Sequence, residues 1–183
     1  MDAGIVTTYT WVCRTREILW HALDQLGPEA YRAPQATLAG DSIRDRHIHI
    51  ASCYIFWAAR VGLGEDLAEP SPADFADAAA SRAAFATADA AVERLLTHFD
   101  GHLDDPIERT VWGQAERLTP RWLLMHPVTH EFNHKGQILI LVRMFGAPPF
   151  DGDMARPFGA PPAQAPDLTV GGRRRAPTAD HSR

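Results

Sequence analysis

The chain has 183 residues, 45% of them hydrophobic, with 18 Lys and Arg against 23 Asp and Glu for a formal charge of −5. That length suits one domain of ordinary globular composition. The acidic balance argues against a nucleic-acid backbone as partner, and no apolar run approaches the roughly 20 residues that a membrane span needs.

In chain order, Met1-Asp2-Ala3-Gly4 lacks the charged start and apolar core of a secretory leader. Two cysteines, Cys13 and Cys53, are too few for a disulfide framework and read as reduced thiols of a cytoplasmic protein. Trp11, Ile18, Leu19, Ala22, Leu23 and Leu26 recur at helical spacing, which predicts a first helix over 7–26, stopped by Gly27-Pro28. The linker 27–40 is long enough for a crossover. A second helix starts at Asp41 or Ser42, either of which can cap it, and ends near Gly62 and Gly64. A third, Ala-rich helix starts at Ser71-Pro72 and runs to about Phe99. Residues 104–118 include Ile107, Thr110, Val111 and Trp112, punctuated by Asp105-Pro106 and Gly113, and predict an irregular connection with a short extended piece or hairpin. A fourth helix starts at Thr119-Pro120 and ends at Gly146, with a kink or a fresh start at Pro127. Residues 147–153 should lie against the helices. The Pro-rich remainder cannot bury enough surface to offset its ordering entropy. The expected organisation is therefore an all-α four-helix bundle over 1–153 with a disordered tail over 154–183.

Nine residues are His. His126, His130 and His134 repeat every four residues, and a step of four turns about 400°, so they share nearly one helix face. Two imidazoles at that spacing can grip one metal ion. His130-Glu131-Phe132-Asn133-His134 also fits the HExxH pattern of zinc proteases, with Glu131 as base. The third ligand such a protease needs downstream is missing, however, since the only later histidine is His181 in the tail. On the second helix His47 and His49 lie about 200° apart and face opposite ways. His49 shares a broad face with Cys53, Phe56 and Trp57. An imidazole on such an apolar face needs a partner, because an unpaired buried polar group costs roughly 1–3 kcal/mol, and a metal ion is a natural one. His47 then points outward or sideways, with a ligand role in place of His49 as its rival reading.

The string from His49 to Trp57 resembles the metal-ligand helix of the DinB/YfiT-like proteins. The string from His126 through His130, His134, Lys135, Gly136 and Gln137 to Ile138 resembles that family's second motif, and Arg143 to Pro149 its usual close. Asn133 stands where the family often has a second, adjacent histidine. The resemblance covers roughly residues 5–153. It implies a four-helix bundle that binds one divalent metal ion through His49, His130 and His134, with Zn2+ first and Ni2+ or Fe2+ as alternatives. It also implies transferase chemistry on low-molecular-weight thiols, or hydrolysis of small molecules. A non-catalytic metal-binding or ligand-sensing bundle stands beside that as the alternative. The implied partner is a small-molecule substrate, and the resemblance leaves room for a homodimer.

Neighbouring residues have competing readings. Cys53, His126 and Gln137 could face the site, Cys53 otherwise being a small buried thiol and His126 a fourth ligand, a hydrogen-bonding neighbour or an exposed side chain. Glu131 reads as a solvated or salt-bridged surface residue, about 100° round the helix from His130. Gly136 should let a neighbouring helix approach closely. His21, His98 and His102 read as surface or helix-end residues.

Overall fold

A computed structural model describes residues 2–147. The expectations that residues up to 153 lie against the helices and that 154–183 form a disordered tail concern, from Pro148 onward, residues outside those described. Ala147 itself packs against the core, with its N–H donating to the Val142 carbonyl.

Helix α1 spans Ala3–Leu23, somewhat earlier than the apolar spacing predicts, because Asp2 caps it by accepting from the Gly4 and Ile5 N–H groups. A short helix α2, Pro28–Arg32, and a 3-10 turn, Ala36–Leu38, fill the linker. Helix α3, Ile43–Tyr54, opens with a capping box in which Ser42 Oγ accepts from the Asp45 N–H and Asp45 accepts from the Ser42 N–H. It passes directly into a π-helix over Ile55–Leu63, a rare form found mostly near functional sites. Ser71-Pro72 opens only a 3-10 turn, Pro72–Asp74; the long helix α4, Ala78–His98, starts later, where Asp77 accepts from the Ala80 N–H. Strands β1, Ile107–Val111, and β2, Gln114–Leu118, pair antiparallel from Ile107 opposite Leu118 to Val111 opposite Gln114. Helix α5, Pro120–Met144, is capped by Thr119 and runs unbroken across Pro127, so no new helix starts there.

Among the described residues, four long helical elements pack about one core: α1, α3 with its π-helical continuation, α4 and α5. Leu19, Leu23, Ile48, Ile55, Leu95, Leu123, Leu124 and Ile138 are almost completely buried in it. The all-α architecture is as expected, with the small hairpin added. The tight crossing is at Gly62 rather than Gly136. A Cβ on Gly62 would meet Leu95 Cδ1 at 2.5 Å, whereas one on Gly136 would meet nothing within 4 Å. The hairpin is fastened beside that crossing, where Arg109 donates to the carbonyls of Val61 (2.7 Å) and Gly62 (2.9 Å). No described helix is long and apolar enough to cross a membrane.

Candidate metal centre

Helices α3 and α5 bring His49, His130 and His134 together, one ligand nitrogen from each lying within 4.8 Å of the others. The Nε2 atoms of His49 and His130 are 2.9 Å apart. Ring centroids stand 4.9 Å (His49 to His130), 5.1 Å (His49 to His134) and 4.3 Å (His130 to His134) apart. Two nitrogens at ~2.0–2.1 Å from a tetrahedral zinc ion stand ~3.3 Å apart, so the imidazoles need little movement to share one ion. The Nδ1–H of His134 donates to Gln137 Oε1 at 2.9 Å, which leaves the Nε2 lone pair of His134 for a metal. Gln137 thus fixes the tautomer of His134.

For two of the three imidazoles the surroundings favour the neutral form, which is the one that ligates. Burial, then the neighbouring His134, lowers the pKa of His49. Burial, reinforced by His134, His49 and His126, takes His130 down to about 4. The group opens at the surface: His49 is exposed, His130 half-buried and His134 buried. On the face shared by His49, Cys53, Phe56 and Trp57, Cys53 and Trp57 are core residues, Phe56 is half-buried, and His49 stands at the exposed end.

His126 sits one turn before His130 on α5. It stacks on Trp122 (centroids 5.1 Å apart) and on His130 (6.0 Å), and meets Trp57 edge-on at 4.8 Å. Trp57 meets Trp122 and Trp112 edge-on, and Trp112 at the hairpin tip stacks on Phe56 at 5.9 Å. Trp112 is 81% exposed. This aromatic surround was missed from the sequence. The signal available was Trp112-Gly113 between two β-prone runs, a two-residue turn that puts Trp112 at a tip. Cys53 is buried and close to His126 and His130, and burial together with the Glu69 charge pushes its thiol up to about 12.

Two expectations are corrected. His47 is fully buried and does not point outward. It stands 4.3 Å from the Trp20 ring and 4.7 Å from Phe85. Its Nδ1 lies 2.9 Å from Tyr31 Oη, which lies 2.7 Å from Ser81 Oγ. Ser81 gives its proton to the Asp77 carbonyl. The Tyr31 hydroxyl therefore donates to Ser81, and His47 donates from Nδ1 to Tyr31. His47 Nε2 is left buried without a partner.

Glu131 is also buried, at 1% exposure, and not a surface residue. It accepts from Arg16 Nε at 3.0 Å on one oxygen, and from Arg16 Nη2 at 2.9 Å and the Tyr54 hydroxyl at 2.7 Å on the other. Arg16 also donates to Asp89 at 2.7 Å, which accepts from the Tyr9 hydroxyl as well. Both Glu131 oxygens are committed to holding helices together, so the HExxH letters do not supply a free general base. His21, His98 and His102 are exposed, as expected, with His102 paired to Asp105.

Comparison with family models matches residues 1–160 to the DinB family. No curated protein matches the chain.

Proposed function

The chain belongs to the DinB family, and from that membership we propose that it holds one divalent metal ion through His49, His130 and His134 and acts as a metal-dependent enzyme on small molecules. The observation that carries this reading is the convergence of three imidazoles from two helices, one of them oriented by Gln137. A borderline-soft divalent ion such as Zn2+ fits an all-imidazole donor set, and Ni2+ or Fe2+ fit it too. An ion held by three protein ligands keeps a position free, where it lowers the pKa of a bound water or thiol and makes it nucleophilic.

The chain's own residues supply the rest. His49 lies on the exposed side of the group, so a small molecule reaches the ion from solvent. Phe56, Trp57, Trp112 and Trp122 flank that approach and offer flat apolar surface. In keeping with the family's chemistry, the substrate class is a low-molecular-weight thiol conjugated to an electrophile, with small-molecule hydrolysis as the other form of the same activation.

Metal analysis of the purified chain tests the ligands. The expected content is about one divalent ion per chain, lost in a His130→Ala, His134→Ala double variant; full metal content in that variant would overturn the assignment. Turnover of an electrophile with bacillithiol, mycothiol or glutathione, with and without chelator, tests the activity. Metal-dependent conjugation or hydrolysis is the expected result. Bound metal without turnover would favour a non-catalytic metal-binding or ligand-sensing protein.

A further inference from the structure

His49 and Cys53 are one turn apart on α3, and His126, His130 and His134 are successive turns of α5. One turn toward the C-terminus of α3 meets one turn toward the N-terminus of α5, and a second group of donors lies there. Cys53 Sγ and one nitrogen each of His126 and His130 lie within 4.8 Å of one another. We propose that Cys53, His126 and His130 form a second metal position, displaced by one helical turn from the three-histidine group, that takes thiophilic ions such as Cd2+ and Cu+.

The donor chemistry sets the ion class. A thiolate favours soft and borderline ions, whereas three imidazoles discriminate much less among divalent ions. Cys53 is 8% exposed and His126 and His130 are half-buried, so this group has no fully exposed donor such as His49. His126 is held for the task by its stack on Trp122 and its edge contact with Trp57. An apolar thiol packed only among hydrocarbon would need no such neighbours.

His130 belongs to both groups, and a neutral imidazole has a single lone pair. The two positions therefore compete for one ion per chain, and the ion's softness selects between them. The displacement along the groove between α3 and α5 is about 6 Å, four residues at the helical rise. On binding, the sulfur–metal bond replaces the sulfur–hydrogen bond of Cys53, and the proton leaves to solvent.

The test is a Cd2+ titration of the full, metal-free chain, followed by the ultraviolet thiolate-to-metal charge-transfer band and by bound cadmium. The expected band saturates near one ion per chain. It should persist in His49→Ala, in His134→Ala and in Cys13→Ser. It should vanish in Cys53→Ala, and His126→Ala should weaken Cd2+ binding by at least about tenfold. Absence of the band in the unaltered chain, or its survival in Cys53→Ala, would overturn the proposal. Cys53→Ser serves as a second replacement if the Ala variant loses its helical circular dichroism. Should neither fold, an unchanged titration in His126→Ala overturns it. Because the band needs neither His49 nor His134, failure here is distinct from failure of the three-histidine assignment.

Discussion

His47 and His49 sit two residues apart on α3, and burial lowers the pKa of both. His47 is buried against Trp20 and Phe85, and burial, with the charges of Arg16 and Arg82, takes its pKa down from 6.5 to about 3. His130 is taken down from 6.5 to about 4. Both therefore bind fewer protons folded than unfolded between those values and 6.5, and stability must fall as pH drops through that window. Each proton difference contributes up to about 1.4 kcal/mol per pH unit. In metal-free protein the urea midpoint should decline from pH 6.5 toward pH 4, and His47→Gln, which keeps an N–H donor without titrating, should flatten the decline. An equal slope in that variant would show that His47 does not titrate as its burial requires.

The pairing of His130 and His134 was legible because i, i+4 spacing on helices fixes which side chains share a face, and His49 joins them as expected. The inward face of α3 was not legible. Ile43, His47, Ile50 and Tyr54 form the true inward stripe of α3, at offsets of four, seven and eleven, and all are buried. A histidine in that stripe and half-buried Phe56 outside it blur the apparent polarity. Glu131 and Lys135 are disguised in the same way within the buried α5 stripe of Leu124, Val128, Ile138 and Val142. A charged letter reads as surface until its partner is known, and Arg16 lies 115 residues from Glu131.

Among the elements, the hairpin falls within the connection expected to hold one and is the most exposed to solvent. Its turn residues Trp112 and Gly113 both have positive φ, 50° and 82°. That suits a two-residue hairpin turn, for which Asn-Gly is the favoured pair. A non-glycine residue in the left-handed region costs roughly 1–2 kcal/mol, while an aromatic stack such as that on Phe56 returns roughly 0.5–1.5 kcal/mol. These nearly cancel. Trp112→Asn should thus shift the melting temperature by no more than about 4 °C, at about 2–4 °C per kcal/mol for a chain of this size. A much larger fall would mean that Trp112 holds the hairpin in place. A small shift would leave an 81% exposed tryptophan with no structural need, consistent with a surface kept for ligand contact.

At the scale of the molecule, the buried network of Arg16, Glu131, Tyr54 and Asp89 ties α1 to α5, α3 and α4 at one place. Removing one member of a buried ion pair costs about 3–5 kcal/mol, because the other charge is stranded, whereas replacing both with apolar residues can be neutral. Glu131→Ala should lower the melting temperature by roughly 6–20 °C. The Arg16→Met, Glu131→Leu double variant should recover much of that loss. A double variant as unstable as the single one would mean that the charges themselves stabilise the fold.

Glu131 also stands between His130 and His134 in the sequence, turned about 100° from the first. Once Arg16 and Tyr54 grip its carboxylate, α5 cannot roll about its own axis without breaking three hydrogen bonds at its core. The rotational phase of the helix is therefore locked from behind, much as a keyed shaft is. The imidazoles on its front are held in position by the protein alone, so that binding an ion there would ask for side-chain adjustment only, with α5 already in place.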